Sequence, residues 1–293
     1  MIEYDNRSWT SVLFRLKGSV LPRLFPRIAA IAGLGAGAAV LYGATGFHLS
    51  PLAHTLIGAA LGLLLVFRTN ASYDRFWEGR KLLGTIVNRS RDLARQFATW
   101  VDDEDTRQRL RRRTVAMVAL IHQMLRRETD LRALGERLTD DERALLEPLR
   151  ARQLVVSTWI SRALRALADD GKLAEQRLVA MDQNLTTILD QLGGAERILK
   201  TPVPFAYAQH IRTFVSFFCV TVPFAMVDTM RWYTPLASAL LAFALFGIEE
   251  IGIEIEDPFG YDDNDLPLDA ILDTIDKDTL AILTAPAPRD PHG

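Results

Sequence analysis

Residues 28–67 read IAAIAGLGAGAAVLYGATGFHLSPLAHTLIGAALGLLLVF, forty positions without one Asp, Glu, Lys or Arg. A helix rises about 1.5 Å per residue and needs about 20 apolar residues to cross the hydrocarbon core of a bilayer, so this tract fits two crossings better than one. The turn falls near its middle, in YGATGFHLSPLAH (42–54), where Gly43, Gly46, Ser50 and Pro51 interrupt the helix and Tyr42 and Phe47 suit a membrane interface. The spans expected from this tract are Ile28 to Tyr42 with its flanks, and Pro51 to Phe67.

A second pair of apolar runs lies toward the other end of the chain. Thr213 to Val227 is uncharged, DTMR (228–231) follows, and Trp232 to Ile248 is uncharged again. Both runs are short for a crossing, which a kink at Pro223 and interfacial anchors at Trp232 and Tyr233 would accommodate. Basic residues decide the orientation. Arg7, Arg15, Lys17, Arg23 and Arg27 precede the first span and Arg68, Arg75, Arg80 and Lys81 follow the second, whereas the turn between them has none. Both ends of the first hairpin, and with them both termini, are therefore expected in the cytoplasm. Arg212 before the third span and Arg231 in the second outer turn agree less strongly.

Between the hairpins, Arg68 to Leu192 reads as long amphipathic helices, as in TIVNRSRDLARQFATWV (85–101) and RTVAMVALIHQMLRR (113–127). Breaks are expected near Asp102 to Thr106, near Gly135 to Asp141, at Pro148 and at Asp169 to Lys172. The fold class is thus all-α, an integral membrane bundle of four transmembrane helices in two hairpins continuous with a cytosolic helical region. One domain is expected over 1–283, with membrane segments at about 28–67 and 210–250, cytosolic helices at about 68–205 and 251–283, and a disordered Pro-rich tail, 284–293.

Composition removes several functions. The chain has 49% hydrophobic residues and a mean hydropathy of +0.08, above what a soluble domain needs. Its 34 basic and 36 acidic residues leave a net charge of -2, so nucleic acid is not an expected partner. Cys219 is the only cysteine, which excludes an intrachain disulfide and a thiolate metal site, and its place in an apolar run reads as a small buried hydrophobe. The N-terminal MIEYDNRSWTSVLFRLKGSV has no apolar signal core and is expected to stay attached.

Catalytic chemistry finds no footing either. Histidines 48, 54, 122, 210 and 292 share no metal-ligand spacing, and no serine sits in a nucleophile elbow. His122 reads as a partly buried structural residue, with lining of an aqueous path a reading for His210. Gly33, Gly35 and Gly37 lack the preceding strand of a nucleotide loop. Small residues four apart, Gly33 with Gly37 and Gly58 with Gly62, instead suit close helix packing in a bilayer. The spans hold no acidic or basic residue, which argues against proton relays and ion-coupled transport, and no enzyme is expected.

Three local strings carry the most information. RTNASYDRFWEGR (68–80) follows the second span, LGGAERILKTPVPFAY (192–207) precedes the third, and GIEEIGIEIEDPFGYDDNDLPLD (247–269) closes the fourth. In the middle one a Gly pair is expected to break the helix and Thr201 to Pro204 to make a rigid elbow. In this order, and with WTSVLFRLKGSVLPRL (9–24) ahead of them, the strings resemble the bestrophin family, particularly its bacterial branch, as far as about Leu283. The central region, about Asp102 to Asp182, is only generically similar.

Bestrophins are pentameric ion channels with a pore on the five-fold axis, so the resemblance implies a homopentamer whose second spans line a narrow neck, in a bacterial inner membrane. Leu52, Leu56 and Ala60 lie four residues apart and Leu63 continues near the stripe, so five copies would stack apolar rings able to gate by dewetting. Ala60 departs from the bulky side chains of the family's neck. The family's second constriction, the cytosolic aperture, maps to Leu185 and Ile188. Its calcium clasp maps to Glu254, Asp257, Asp262, Asp263 and Asp265, carboxylates of the right hardness for Ca²⁺. Asp257 stands where the family usually has Asn, and bacterial relatives are not generally calcium-gated, so no cofactor is required and calcium is not favoured. The partners implied are further copies of the chain, membrane lipid and small inorganic ions. Closeness to the bacterial branch favours monovalent cations (Na⁺, K⁺). A chloride channel, as in animal relatives, and a non-conducting membrane scaffold are the alternatives.

Overall fold

The computed structural model describes residue 7 and residues 9–286. In chain order the helices are α1 (Trp9–Leu13), α2 (Leu21–Thr45), α3 (Pro51–Trp100), α4 (Glu104–Leu125), α5 (Asp140–Leu146), α6 (Arg152–Asp169), α7 (Glu175–Lys200), α8 (Phe205–Met230), α9 (Thr234–Glu254) and α10 (Leu268–Thr284). Single 3-10 segments occupy Leu131–Arg137 and Arg231–Tyr233. No strand occurs among the described residues. The expected breaks at 102–106, 135–141, Pro148 and 169–172 all separate helices, and a further one at 126–130 was not signalled by any Gly or Pro. Of the expected tail, Thr284 closes α10, and residues 287–293 lie outside the described residues.

The chain divides into two compact units. The first takes the described residues up to Trp77, with Thr201–Pro258 and Asp262–Asp265. Three described segments, two wholly and Pro51–Trp100 in part within this unit, are long and apolar enough to cross a membrane: Leu21–Thr45, Pro51–Trp100 and Phe205–Glu254. The last holds both α8 and α9, separated at Arg231–Tyr233, where Arg231 adopts φ 51°. The core of this unit gathers Ile31 of α2, Leu61 and Leu65 of α3, Ile211, Val215 and Phe218 of α8 and Ala242 of α9. Cys219 lies in the same core, the buried hydrophobe its surroundings predict. Many apolar side chains point outward, among them Val40, Leu52, Phe217, Leu236 and Leu240, the pattern of helices whose solvent is hydrocarbon.

Glycine acts differently from expectation in this unit. A Cβ on Gly35 would stand 2.6 Å from Ser238 Oγ and 2.9 Å from Pro235 Cα, so Gly35 is where α2 and α9 touch backbone to backbone. Gly33, Gly37 and Gly62 face open space, and of the two expected pairs only Gly58 meets a neighbour, Phe218 at 3.3 Å. The turn from α2 to α3 is fastened by Leu49 N–H to the Phe224 carbonyl (2.9 Å), by Tyr42 hydroxyl to Asp228 (2.7 Å) and by the Arg231 guanidinium over the Tyr42 ring (4.6 Å).

The second unit comprises Glu78–Lys200, Phe259–Tyr261 and the residues from Leu266 onward. α4 runs through its middle and packs on α6, α7 and α10. The stretch Thr114 to Gln123 is buried on every side, so the amphipathic face read from sequence is instead a helix enclosed by neighbours. His122 is fully enclosed there, and burial pushes its imidazole down to about 4, so it is neutral at physiological pH. α5 starts with a capping box in which Thr139 Oγ1 accepts from Glu142 N–H and Glu142 accepts from Thr139 N–H. Burial would raise the Glu142 carboxyl, but the Thr139 N–H and the Arg113 and Arg112 guanidiniums hold it below the ordinary range. α7 runs unbroken through Gly193 and Gly194, contrary to the expected break. A Cβ on Gly194 would lie 2.7 Å from Leu82, so the glycine admits a close neighbour and does not end the helix.

Candidate functional site

On α3, Leu52, Leu56 and Leu63 are 69%, 66% and 57% exposed, and Ala60 is exposed beside them. Leu61 and Leu65, on the opposite side of the same helix, are fully buried. The four residues assigned to a neck thus share one face that no described residue covers. At about 100° per residue the same face continues through Asn70 and Asp74, both exposed.

Leu185 and Ile188, assigned to an aperture, are 2% and 0% exposed and belong to the core of the second unit. Next to them Asn184 accepts from Arg89 (3.0 Å) and donates to Gln96 (3.0 Å), tying α7 to α3. The open face of α7 carries Gln183, Thr186 and Asp190 instead. His210 is exposed and stacks on Phe214, with ring centroids 5.8 Å apart.

The acidic loop after α9 is built by the chain's own donors. Arg23 pairs with Asp262 at 2.8 Å, and the Asn264 amide donates to the Gly18 carbonyl (3.0 Å) and to Glu254 (3.1 Å). Asp265 is buried and accepts from Asp262 N–H at 2.7 Å. Burial, with the charges of Asp262, Asp257 and Glu254, pushes its carboxyl up to about 6. Asp257 and Asp263 stay exposed. Among the described residues no three His, Cys, Asp or Glu side chains converge as a metal site. The Asn264 amide and the Arg23 guanidinium engage one oxygen each of Glu254 and Asp262, and a cation at this loop would compete with them.

Sequence reasoning missed what the three strings do together. Arg68, from the first string, is buried and pairs with Glu256 of the third at 2.5 Å. The Val203 N–H, in the proline elbow of the second, donates to the other oxygen of Glu256 at 2.9 Å. Arg75 reaches the Glu256 carbonyl (3.1 Å) and the Thr201 carbonyl (2.6 Å). Burial would raise the Glu256 carboxyl, yet the hydrogen bonds from Arg68 and Val203 and the charges of Arg68 and Arg75 hold it below the ordinary glutamate range. The signal was present as an Arg, a Glu and a Thr-Pro-x-Pro elbow at the ends of apolar runs, but one chain does not say which ends meet.

A bundle of outward-facing apolar helices, joined by a buried Arg–Glu fastening and carrying uncovered leucines on α3 and α9, defines a membrane protein. The family described as Bacterial/Fungal Bestrophin protein matches residues 1–281, and the chain belongs to that family. It is 37% identical to a voltage-dependent anion channel-forming protein of Nostoc sp., over 97% of this chain and 94% of the relative. It is 31% identical to the protein of the same description, YneE, of Escherichia coli K12, over 96% of this chain and 93% of the relative. Among solved structures, a bacterial bestrophin homologue from Klebsiella pneumoniae superposes with a TM-score of 0.85 at 29% identity, covering 90% of this chain and 99% of that one.

Proposed function

We propose that the chain forms a homopentameric ion channel of the bacterial inner membrane, with four transmembrane spans, both termini in the cytoplasm and α3 lining a central neck. The observation that carries this reading is the face of Leu52, Leu56, Ala60 and Leu63, which the described residues leave uncovered. Family membership and the channel-forming relatives support conduction over a scaffold and over an enzyme. The permeant ions are small and monovalent. Asp74 continues the neck face, so five copies would place a ring of carboxylates on the axis and favour cations. The aperture lies on α7, and the open side chains beside Leu185 and Ile188, such as Thr186, serve it better than those buried two.

The names of the relatives favour a second reading, anion passage. Its structural support is that Glu249, Glu250 and Glu256 pair with Arg212, Arg27 and Arg68, which withdraws them from any acidic ring. Reversal potentials of the purified protein in planar bilayers with asymmetric NaCl decide between the two. A shift toward the sodium equilibrium potential, reduced by Asp74→Asn, is expected. A shift toward the chloride potential establishes the anion reading, and silent bilayers with correctly inserted protein end the channel proposal.

A further inference from the structure

At one end of the first unit, α2, α8 and α9 line an open pocket of about 510 Å³. Arg27 and Glu250 face each other across it at 3.0 Å, as do Arg212 and Glu249 at 3.1 Å. The members of each pair differ in exposure: Glu249 and Glu250 side chains are 7% and 13% exposed, whereas both arginines are 54% exposed. Within about one turn toward the helix middles the lining is Ala30, Ile31, Val215 and Phe246, with Ser216 the polar exception; Ile31 and Val215 are themselves buried in the core. Charged groups thus lie toward the helix ends, beside Ile253, and apolar groups dominate toward the helix middles.

We propose that this cavity holds the headgroup of a zwitterionic phospholipid with a primary ammonium, a phosphatidylethanolamine. The inference rests on the preceding reading of α2, α8 and α9 as membrane-crossing, with these ends cytoplasmic. Two arginines and two glutamates sum to zero charge, which matches a ligand that is itself neutral overall and disfavours an anionic lipid. The half-exposed guanidiniums present donors that suit phosphate oxygens. Glu249 uses Oε1 and Glu250 uses Oε2 toward their arginines, and a carboxylate accepts more than one bond, so either can also accept from an ammonium with its three donors. A quaternary ammonium has no N–H to give and loses these bonds. Ala30 and Phe246 then meet the first methylenes of the acyl chains, which identifies a lipid and not free phosphoethanolamine.

Native mass spectrometry tests this on the whole delipidated protein in detergent, titrated with short-chain phosphatidylethanolamine, phosphatidylcholine and phosphatidylglycerol. One phosphatidylethanolamine per chain is expected, with the other two headgroups at least about tenfold weaker. Arg212→Gln and Glu250→Gln should each reduce that preference, and Arg27→Gln, on a half-exposed side chain, serves should the others misfold. Glycerophosphoethanolamine without acyl chains should not compete at equal concentration, and competition by it overturns the lipid assignment. Equal retention of all three lipids, or a preference unchanged in the folded variants, overturns the proposal, as does exclusion of all lipid because a neighbouring subunit fills the cavity. Alkaline carbonate extraction separates the two readings: a chain released from membranes defeats the membrane reading, whereas a retained chain without headgroup preference defeats only this one.

Discussion

Arg68 is the bulkiest of the side chains withdrawn from solvent, and its charge is tolerable only because Glu256 meets it at 2.5 Å and Ser72 accepts a second bond at 3.2 Å. Arg68→Ala would strand a carboxylate that is itself mostly enclosed. A loss of about 3 kcal/mol is expected, measurable by thermal unfolding in detergent, and a loss below about 0.5 kcal/mol would show the fastening to be ornamental. Asp265 acts in the opposite sense. Its carboxyl sits at about 6 in the fold against an ordinary value of 3.8, so ionising it at neutral pH opposes folding. Stability from this group is recovered as pH falls through about 6 and is complete below the unfolded value. Glu256, held low, contributes above the ordinary glutamate range and is lost as pH falls beneath it. Melting temperature is thus expected to rise slightly from pH 7.5 toward 5 and to fall below 4. Asp265→Asn should abolish the rise and add about 2–4 °C at pH 7.5; an unaltered profile would remove Asp265 from the account.

At the scale of elements, the contact of α2 with α9 turns on one position. Gly35→Val is expected to destabilise by about 1–3 kcal/mol, since Pro235 is backbone and cannot step aside. Gly33→Val, one half-turn away and facing open space, should be nearly neutral, and equal effects at the two sites in a thermal melt would contradict the packing described. The helices, their order and most of their ends were legible, because apolar runs and breakers are local signals. What could not be read was which face of a helix meets what. Glycine signals both a break and a close approach, and Gly194 was read the wrong way because Leu82, its neighbour, lies far off in sequence. Leu185 shows a register limit: one step to Thr186 turns the side chain by about 100°, from core to surface. The enclosure of Thr114 to Gln123 likewise depends on α6, α7 and α10, which an isolated heptad pattern does not report.

For the whole molecule, the Leu face of α3 makes the conduction reading concrete. Leu56→Ala should enlarge currents or shorten closures in planar bilayers, since a narrower apolar girdle wets less readily. Unchanged currents would take Leu56 off the permeation path and return its exposed side chain to lipid. Family and helical class were accessible from the three strings. Assembly number and selectivity rested on the resemblance alone, because no residue pattern within one sequence encodes them.

The helix α3 continues without interruption for 50 residues, from the turn before Leu52 to Trp100. Near its far end Arg89 and Gln96, seven residues or about two turns apart, are both gripped by Asn184. Loosening that one amide would therefore release two turns of the helix at a stroke.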